Sequence, residues 1–447
     1  MHPPRPSAPR LAAEEVWLRR SEVAAILQDA RRRTLEVVQD LTDEQLRVPL
    51  LPIINPILWE IGHVAWFQEK WALRHLRGEP PVLAHGDSLY DSAAVAHDTR
   101  WDLKLPSRAE TLTYMQEVLD RVLARLPDEL SEREAYFHWL PCMHEDMHDE
   151  AFTYTRHTLG YAAPKFSNAQ PAPSSGEEVG GDVEIPGGEF LLGALQGEVF
   201  VFDNEKWAHP VRVEPFRIAR APVTNGQFAE FVDDGGYRRR ELWSDDGWTW
   251  REKTKAEHPV YWSRDGNNWL QRHFDQVRPL SKTLSGVEGP RNLPIIHVNW
   301  FEAEAYCRCA KRRLPTEAEW ELAAATTDKR RYPWGEELPT AERANLDGRA
   351  RDCVPVGAHA AGDATSGCRQ MIGNVWEWTS SLFAPYPGFV LDPYKEYSQP
   401  WFTPDYRVLR GGCWVTRSRL IRNTWRNFYT RDRRDVFGGF RTCAATD

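Results

Sequence analysis

Residues 142–152 read CMHEDMHDEAF. His144 and His148 are four apart, so on a helix they share one face about one turn apart. Two imidazoles at that spacing can grip one metal ion. Glu150, two residues further on, points well away from both and makes a poor third ligand; it suits a supporting position behind the site. A third ligand must come from elsewhere. His63 is the best candidate, because in EIGHVAWF (60–67) an unpaired imidazole lies mid-helix among apolar residues, where it would be costly. A packed or exposed histidine with no metal is the alternative for each. His75, His85 and His157 have no such partner and read as surface residues. Three neutral imidazoles without a thiolate fit iron, copper or zinc. An all-histidine set departs from the common iron site of two histidines and one carboxylate.

Around these histidines the chain reads as helices over residues 11–163. Leu11 to Leu41 is rich in Ala, Glu, Arg and Leu at near-helical spacing. A second helix is expected to start at Asn55-Pro56, with Asn55 as the cap, and to run through ILWEIGHVAWFQEKWALRHL. A third follows Ser107 and a fourth spans Ser131 to Leu159. Four helices suggest a bundle, in which sites are built from inward-facing side chains. The long connection from the Leu83 region to Pro106 is the kind of loop that often carries function. Residues 164–183 are polar and rich in Pro, Gly and Ser, and read as a linker. From 184 to 447 the pattern changes to short strand-like runs, many Gly and Pro, and Trp-dense turns. That is an α+β domain dominated by short strands and loops, so the fold class is two-domain, α followed by α+β.

Composition narrows the function. The 447 residues include 56 Lys+Arg against 65 Asp+Glu, a formal net charge of −9, which argues against a general nucleic-acid binder. No apolar run approaches the ~18 residues of a membrane span. MHPPRPSAPR at the start has no apolar core of a secretory signal. Seven cysteines form no CxxC pair, so neither a disulfide framework nor a zinc knuckle is expected, and a cytoplasmic location is the default. The 20 Trp, 18 Phe and 14 Tyr mostly suit an aromatic core, and they also suit a pocket for a cationic ligand.

NPILWEIGHVAWFQEKW (55–71) together with HEDMHDE (144–150) resembles the DinB-like four-helix domain of ergothioneine synthases, the non-haem iron sulfoxide synthases. Their pattern of one upstream His plus HxxxHxE falls here on His63, His144, His148 and Glu150. The C-terminal half is similar to the formylglycine-generating-enzyme type of domain, a variant of the C-type lectin fold. The motifs that carry this are IPGGEFLLG (185–193), PVTNGQFAEFV (222–232), VNWFEAEAYCRCAKRRLPTEAEWELAAA (298–325), YPWG (332–335), GNVWEWTSS (373–381), LRGGCW (409–414) and FGGFR (437–441). Together the two sets cover residues from about 15 to 443. The formylglycine-generating enzyme itself uses paired cysteines after its GGSY-like turn. Here the turn is GGCW, with Cys413 at the Ser position and no cysteine before Cys443, so that copper-thiolate chemistry is not expected.

The resemblance implies a ferrous ion, Fe(2+), on the three histidines, with Glu150 behind them. It implies hercynine (trimethylated histidine), O2 and a thiol or selenol donor as small-molecule substrates, with no nucleic acid or membrane partner. The family's YxxY pair falls on Tyr394 and Tyr397 in DPYKEYS (392–398). Tyr394 would be the catalytic proton or hydrogen donor and Tyr397 a pocket residue. The hercynine-binding Asn-aromatic pair falls on Asn427 and Phe428, the amide holding the carboxylate and the ring facing the trimethylammonium.

Several positions depart from ergothioneine synthases that take γ-glutamylcysteine. The Asp after the Asn-aromatic pair is Tyr429 here, although Arg433 remains; the Gln before the second motif His is Met147; and of an Arg-rich segment only Arg100 survives. The charged clamp for a dipeptide is largely missing, which suits a neutral, hydroxyl-bearing donor. EIGHVAWFQEKW (60–71) and AHDTRWDLKLP (96–106) resemble the selenoneine synthase branch, which joins a selenosugar, 1-seleno-glucose, to hercynine through a selenoxide that breaks down to selenoneine. The alternatives are an ergothioneine synthase using cysteine or γ-glutamylcysteine, a non-catalytic lectin-like binding protein, and a zinc hydrolase. The last is disfavoured because Glu145 lies off the histidine face and no other general base is near.

Overall fold

The structure, a computed structural model, describes residues 18–173, 179–280 and 290–445. Four long helices build the N-terminal half: α1 (Arg20–Val38), α2 (Ile57–Gln68), α3 (Arg108–Ala124) and α4 (Glu132–Leu159). Residues 11–17 of the expected first helix lie outside the described residues. The start signals of α3 and α4 act as written. Ser107 and Ser131 each accept from the backbone N–H three residues on, and Glu110 and Glu134 return the bond. The start of α2 differs from expectation. Pro56, not Asn55, is the cap residue, and the Asn55 amide oxygen instead accepts from Arg100 Nη1 at 2.6 Å.

Two further features of the bundle are not visible in its periodicity. Directly after α2 the chain continues as a π-helical segment, Glu69–His75, in which the buried Glu69 accepts from the Tyr114 hydroxyl at 2.7 Å. Helix α4 carries Pro141 in its interior yet runs unbroken for 28 residues. Proline removes one ladder donor there. Packing of Leu140, Cys142 and Met143 into the core on either side holds the helix together.

The C-terminal half is mixed helix and sheet. Its central sheet has four strands, β1 (Trp376–Leu382), β2 (Tyr406–Arg410), β3 (Asn427–Thr430) and β4 (Gly438–Gly439), in the order β3-β2-β1-β4. Strands β1, β2 and β3 pair antiparallel, and β4 pairs parallel to β1. A second sheet of four strands joins Arg312–Arg313, Cys443–Ala444, Phe216–Ala219 and Asp182–Ile185. Buried Arg441 and Glu377 tie the sheets through paired contacts at 2.6 and 2.8 Å. The α followed by α+β class expected from the sequence is the class observed.

The two halves bury one continuous interface. Asp146 of α4 takes two hydrogen bonds from Arg419, at 2.5 and 2.6 Å, and Arg417 and Arg419 both reach Asp29 of α1. Residues 164–173 bridge the halves: Phe166 is buried between the Arg33 guanidinium of α1 and Gly348, and Gln170 N donates to the Arg349 carbonyl. His157 corrects the surface reading. It is buried at the end of α4 and stacks on His297 of the other half, ring centroids 4.3 Å apart. Among the described residues no helix is long and apolar enough to cross a membrane.

Candidate metal centre and substrate cleft

Helices α2 and α4 cross so that His63, His144 and His148 converge. Their Nε2 atoms meet, His63 to His144 at 3.3 Å and His148 to His144 at 3.2 Å. No other group of three metal-ligating side chains comes together among the described residues. Each flanking imidazole is oriented from behind. His63 Nδ1 lies 2.7 Å from the Tyr90 carbonyl. A carbonyl can only accept, so this nitrogen carries the ring proton and Nε2 is a bare lone pair. His148 Nδ1 donates in the same way to Glu60 Oε1 at 2.5 Å. Burial pushes His63 and His144 far below the usual imidazole range, so neither takes a second proton near neutrality. The His63 lone pair therefore faces the His144 Nε2 across 3.3 Å, with the His148 Nε2 a further 3.2 Å from His144. A cation between them satisfies all three, and its absence would leave facing lone pairs. The residues present therefore fit a metal ion.

The walls are aromatic. His144 stacks on Phe67 at 3.7 Å with rings nearly parallel, and His63 stacks on Trp59 at 4.9 Å. The Tyr90 carbonyl reaches His63 because position 62 is glycine: a Cβ there would come within 2.4 Å of the Tyr90 ring.

The second half closes the site. Tyr394 lies edge-on to Phe67 at 4.9 Å and to His144 at 6.1 Å, and burial raises its phenol above the usual value. Tyr397 is 5.9 Å from Tyr394, stacks on Phe202 at 4.0 Å, and donates to the Met147 sulfur at 3.6 Å. Tyr394, Tyr397 and Met147 thus join the histidines in one cleft. Glu150 does not touch the histidines. Its carboxylate accepts from Trp376 Nε1 at 2.6 Å and from Thr416 Oγ1 at 2.5 Å, which docks the GNVWEW and GGCW turns onto α4. Cys413 is buried with its sulfur 3.3 Å from Thr416 Oγ1, and burial pushes the thiol well above its usual range. Glu145 is tied to Arg31 at 2.7 Å, so its carboxylate is not free to act as a base, and Asp149 Oδ1 accepts from Thr34 at 2.8 Å.

The remaining sequence-derived residues are less uniform. On β3 the side chains alternate, placing Asn427 and Tyr429 on one face and Phe428 on the other. Phe428 stacks on Phe383 at 3.9 Å, with Tyr397 6.0 Å away, and does not sit beside the Asn427 amide. The Asn427 oxygen accepts from the Phe428 N–H at 2.8 Å. Arg100 lies 4.0 Å over Trp59, with Nη1 donating to Asn55 and Nη2 to the Val95 carbonyl. Arg433 covers the rings of Tyr429 at 5.1 Å and Tyr154 at 5.9 Å, and makes two bonds to the buried Asp435, at 2.7 and 2.8 Å.

Over 434 residues the chain is 39% identical to a hercynine oxygenase of Mycolicibacterium thermoresistibile, covering 94% of each chain. It is 38% identical over 428 residues to the hercynine oxygenase of Mycobacterium tuberculosis, covering 94% of this chain and 98% of the relative. This chain belongs to the hercynine oxygenase family. Both halves match known domains separately: residues 26–157 the DinB superfamily, and residues 166–446 the sulfatase-modifying factor enzyme 1-like domain. The second half also carries a likeness to a formylglycine-generating enzyme of Streptomyces coelicolor, 34% identical over 272 residues, 55% of this chain and 85% of that one.

In this family member, sequence reasoning missed Glu60, Tyr90, Phe67, Tyr154 and Asp435. Glu60 was within reach of a helix argument, since it precedes His63 by three and shares its face. Tyr90 was not, because the partner is a backbone carbonyl on a loop, and any residue supplies one. Asp435 stands two after Arg433 in RRD, a charge pattern ordinary for a solvated turn.

Proposed function

We propose that this chain is an iron(II)- and O2-dependent enzyme that forms a bond between the imidazole carbon of hercynine and a chalcogen donor, and that the donor is a selenosugar such as 1-seleno-glucose. The observation that carries the reading is the convergence of three imidazoles on one point, those of His63 and His144 buried, with the Tyr394 phenol across from them. His63, His144 and His148 would hold the metal, which supplies one-electron reduction of O2. In the balanced reaction the hercynine C–H and donor Se–H bonds break and a C–Se bond forms. One oxygen atom stays on selenium, and the other leaves as water. The hydroxyl of Tyr394 keeps its proton at neutral pH and so is ready to deliver it inside the cleft. Asn427 would hold the hercynine carboxylate, and the surrounding rings would face its trimethylammonium group. Phe67, Trp59 and Tyr397 keep water from the reacting atoms. Tyr429, Met147 and the committed Arg100 support a donor that brings hydroxyl groups in place of charges. The relatives named hercynine oxygenase support hercynine and O2 as the shared substrates.

The test is anaerobic loading with Fe(2+), followed by aerobic incubation with hercynine and 1-seleno-glucose, cysteine or γ-glutamylcysteine in competition, with products read by mass spectrometry. A selenium-containing hercynine product in excess is the expected result. Preferential consumption of γ-glutamylcysteine or cysteine would assign the chain to C–S bond formation. Absence of stoichiometric iron binding, or a His144→Ala variant that keeps turnover, would overturn the metal reading.

A further inference from the structure

Arg433 lies between the two halves, over Tyr154 of α4 and Tyr429 of β3, and the protein has already given it an anion. Arg433 Nε donates to Asp435 Oδ1 at 2.7 Å and Nη2 to Asp435 Oδ2 at 2.8 Å; Nη2 also points at the Ile53 carbonyl, 3.5 Å away. Asp435 is buried, and Arg433 is mostly covered by Tyr429 and Tyr154. A bidentate arginine–carboxylate pair uses the geometry with which the same fork would bind a ligand's carboxylate. Tyr154, from α4, closes the other side, its ring 5.9 Å from the Arg433 guanidinium. A carboxylated donor entering here would meet a neutral pair flanked by phenols.

We infer that Asp435 is a specificity-determining residue: by occupying the guanidinium of Arg433 it excludes donors bearing a carboxylate and leaves the pocket to neutral, hydroxyl-bearing ones. The inference rests on the proposed function, in which Tyr429 faces the donor, and on Arg433 lying over that same ring. Asp435 acts on the donor through Arg433, so it is a positioning residue. Removing its charge by Asp435→Asn leaves the arginine buried beside the cleft with no counter-ion, and a ligand carboxylate becomes its best partner.

The experiment compares two probes, 3-mercaptopropionate and its uncharged methyl ester, binding to the iron-loaded, hercynine-saturated protein without oxygen, by calorimetry. In the unaltered chain the acid should bind no better than the ester. In Asp435→Asn the preference for the acid should rise about tenfold, the scale of one new charge-assisted pair. The double variant Arg433→Met/Asp435→Asn should lose that gain. An acid preference above tenfold in the unaltered chain overturns the inference, whether or not the variants fold. An unchanged ratio in a folded Asp435→Asn overturns it as well. Turnover of 1-seleno-glucose by the unaltered chain is scored separately. If that turnover is absent while the charge ratios behave as stated, the selenosugar assignment fails and the role of Asp435 stands.

Discussion

His63 and His148 differ from ordinary histidines in what stands behind them. A carbonyl and a carboxyl oxygen each face one Nδ1, which turns both Nε2 atoms to the same side. Outer partners of this kind commonly carry 10- to 100-fold of metal affinity. Glu60→Gln should therefore weaken ferrous binding by about tenfold, the low end of that range, because the amide oxygen still accepts. An anaerobic titration with Fe(2+) measures it, and an affinity equal to that of the unaltered chain would refute the role. Tyr394→Phe separates binding from chemistry. Iron content should be unchanged, while turnover falls by about 10²- to 10⁴-fold, the scale of a lost proton donor. A variant that turns over normally would make Tyr394 part of the wall alone. The histidine pair was legible from i,i+4 spacing in the sequence; the tautomers were not, because they depend on atoms contributed by other segments.

At the level of elements, α4 does two jobs along one length. Its histidines face α2, and Asp146 and Glu150 face the second half. Glu150 accepts from a tryptophan and a threonine that are both buried. Glu150→Ala would leave two donors in the interface without an acceptor, each costing about 1–3 kcal/mol when buried. Chemical denaturation should show a loss of about 2–6 kcal/mol with the denaturant slope preserved. A loss below 1 kcal/mol would mean that water takes the place of the carboxylate. The helix starts at Ser107 and Ser131 were readable because capping boxes are local. The π-helical turn at Glu69–His75 was not, since it depends on how α2 meets α3, with Tyr114 holding Glu69. Pro141 would have argued for a break, and burial on both sides of it prevails.

Across the whole molecule, the buried His157–His297 stack joins the halves far from the metal cluster. Burial holds His297 down to about 3 and keeps His157 well below the usual range, with His273 and Arg272 also opposing charge on both. The folded chain therefore refuses protons that the unfolded chain accepts below about pH 6.5. The stability these residues contribute is complete above that pH and declines as pH falls from about 6.5 toward 3, by about 1.4 kcal/mol per pH unit for each withheld proton. His297→Asn should flatten that slope relative to the unaltered chain, measured as the difference between their unfolding free energies from pH 7 to 4. Parallel curves would show that His297 titrates alike in both states. A sequence reading leaves His157 on the surface because nothing within its own helix covers it. The cover comes from residues 261, 273, 274, 297 and 437.

What the sequence determined by itself was local or periodic: four helical segments, the change to short strands after residue 184, the i,i+4 histidine pair, and the ordered motifs of two joined domains. These follow from backbone capping, side-chain period and turn chemistry, which act over a few residues. The tertiary structure alone decided how the halves dock, which oxygen holds each imidazole, that Phe428 and Asn427 look to opposite faces, and that Arg433 is already paired. Each of those depends on desolvation and on partners tens to hundreds of residues away, where hydrogen-bond geometry chooses among many groups that look equivalent along the chain.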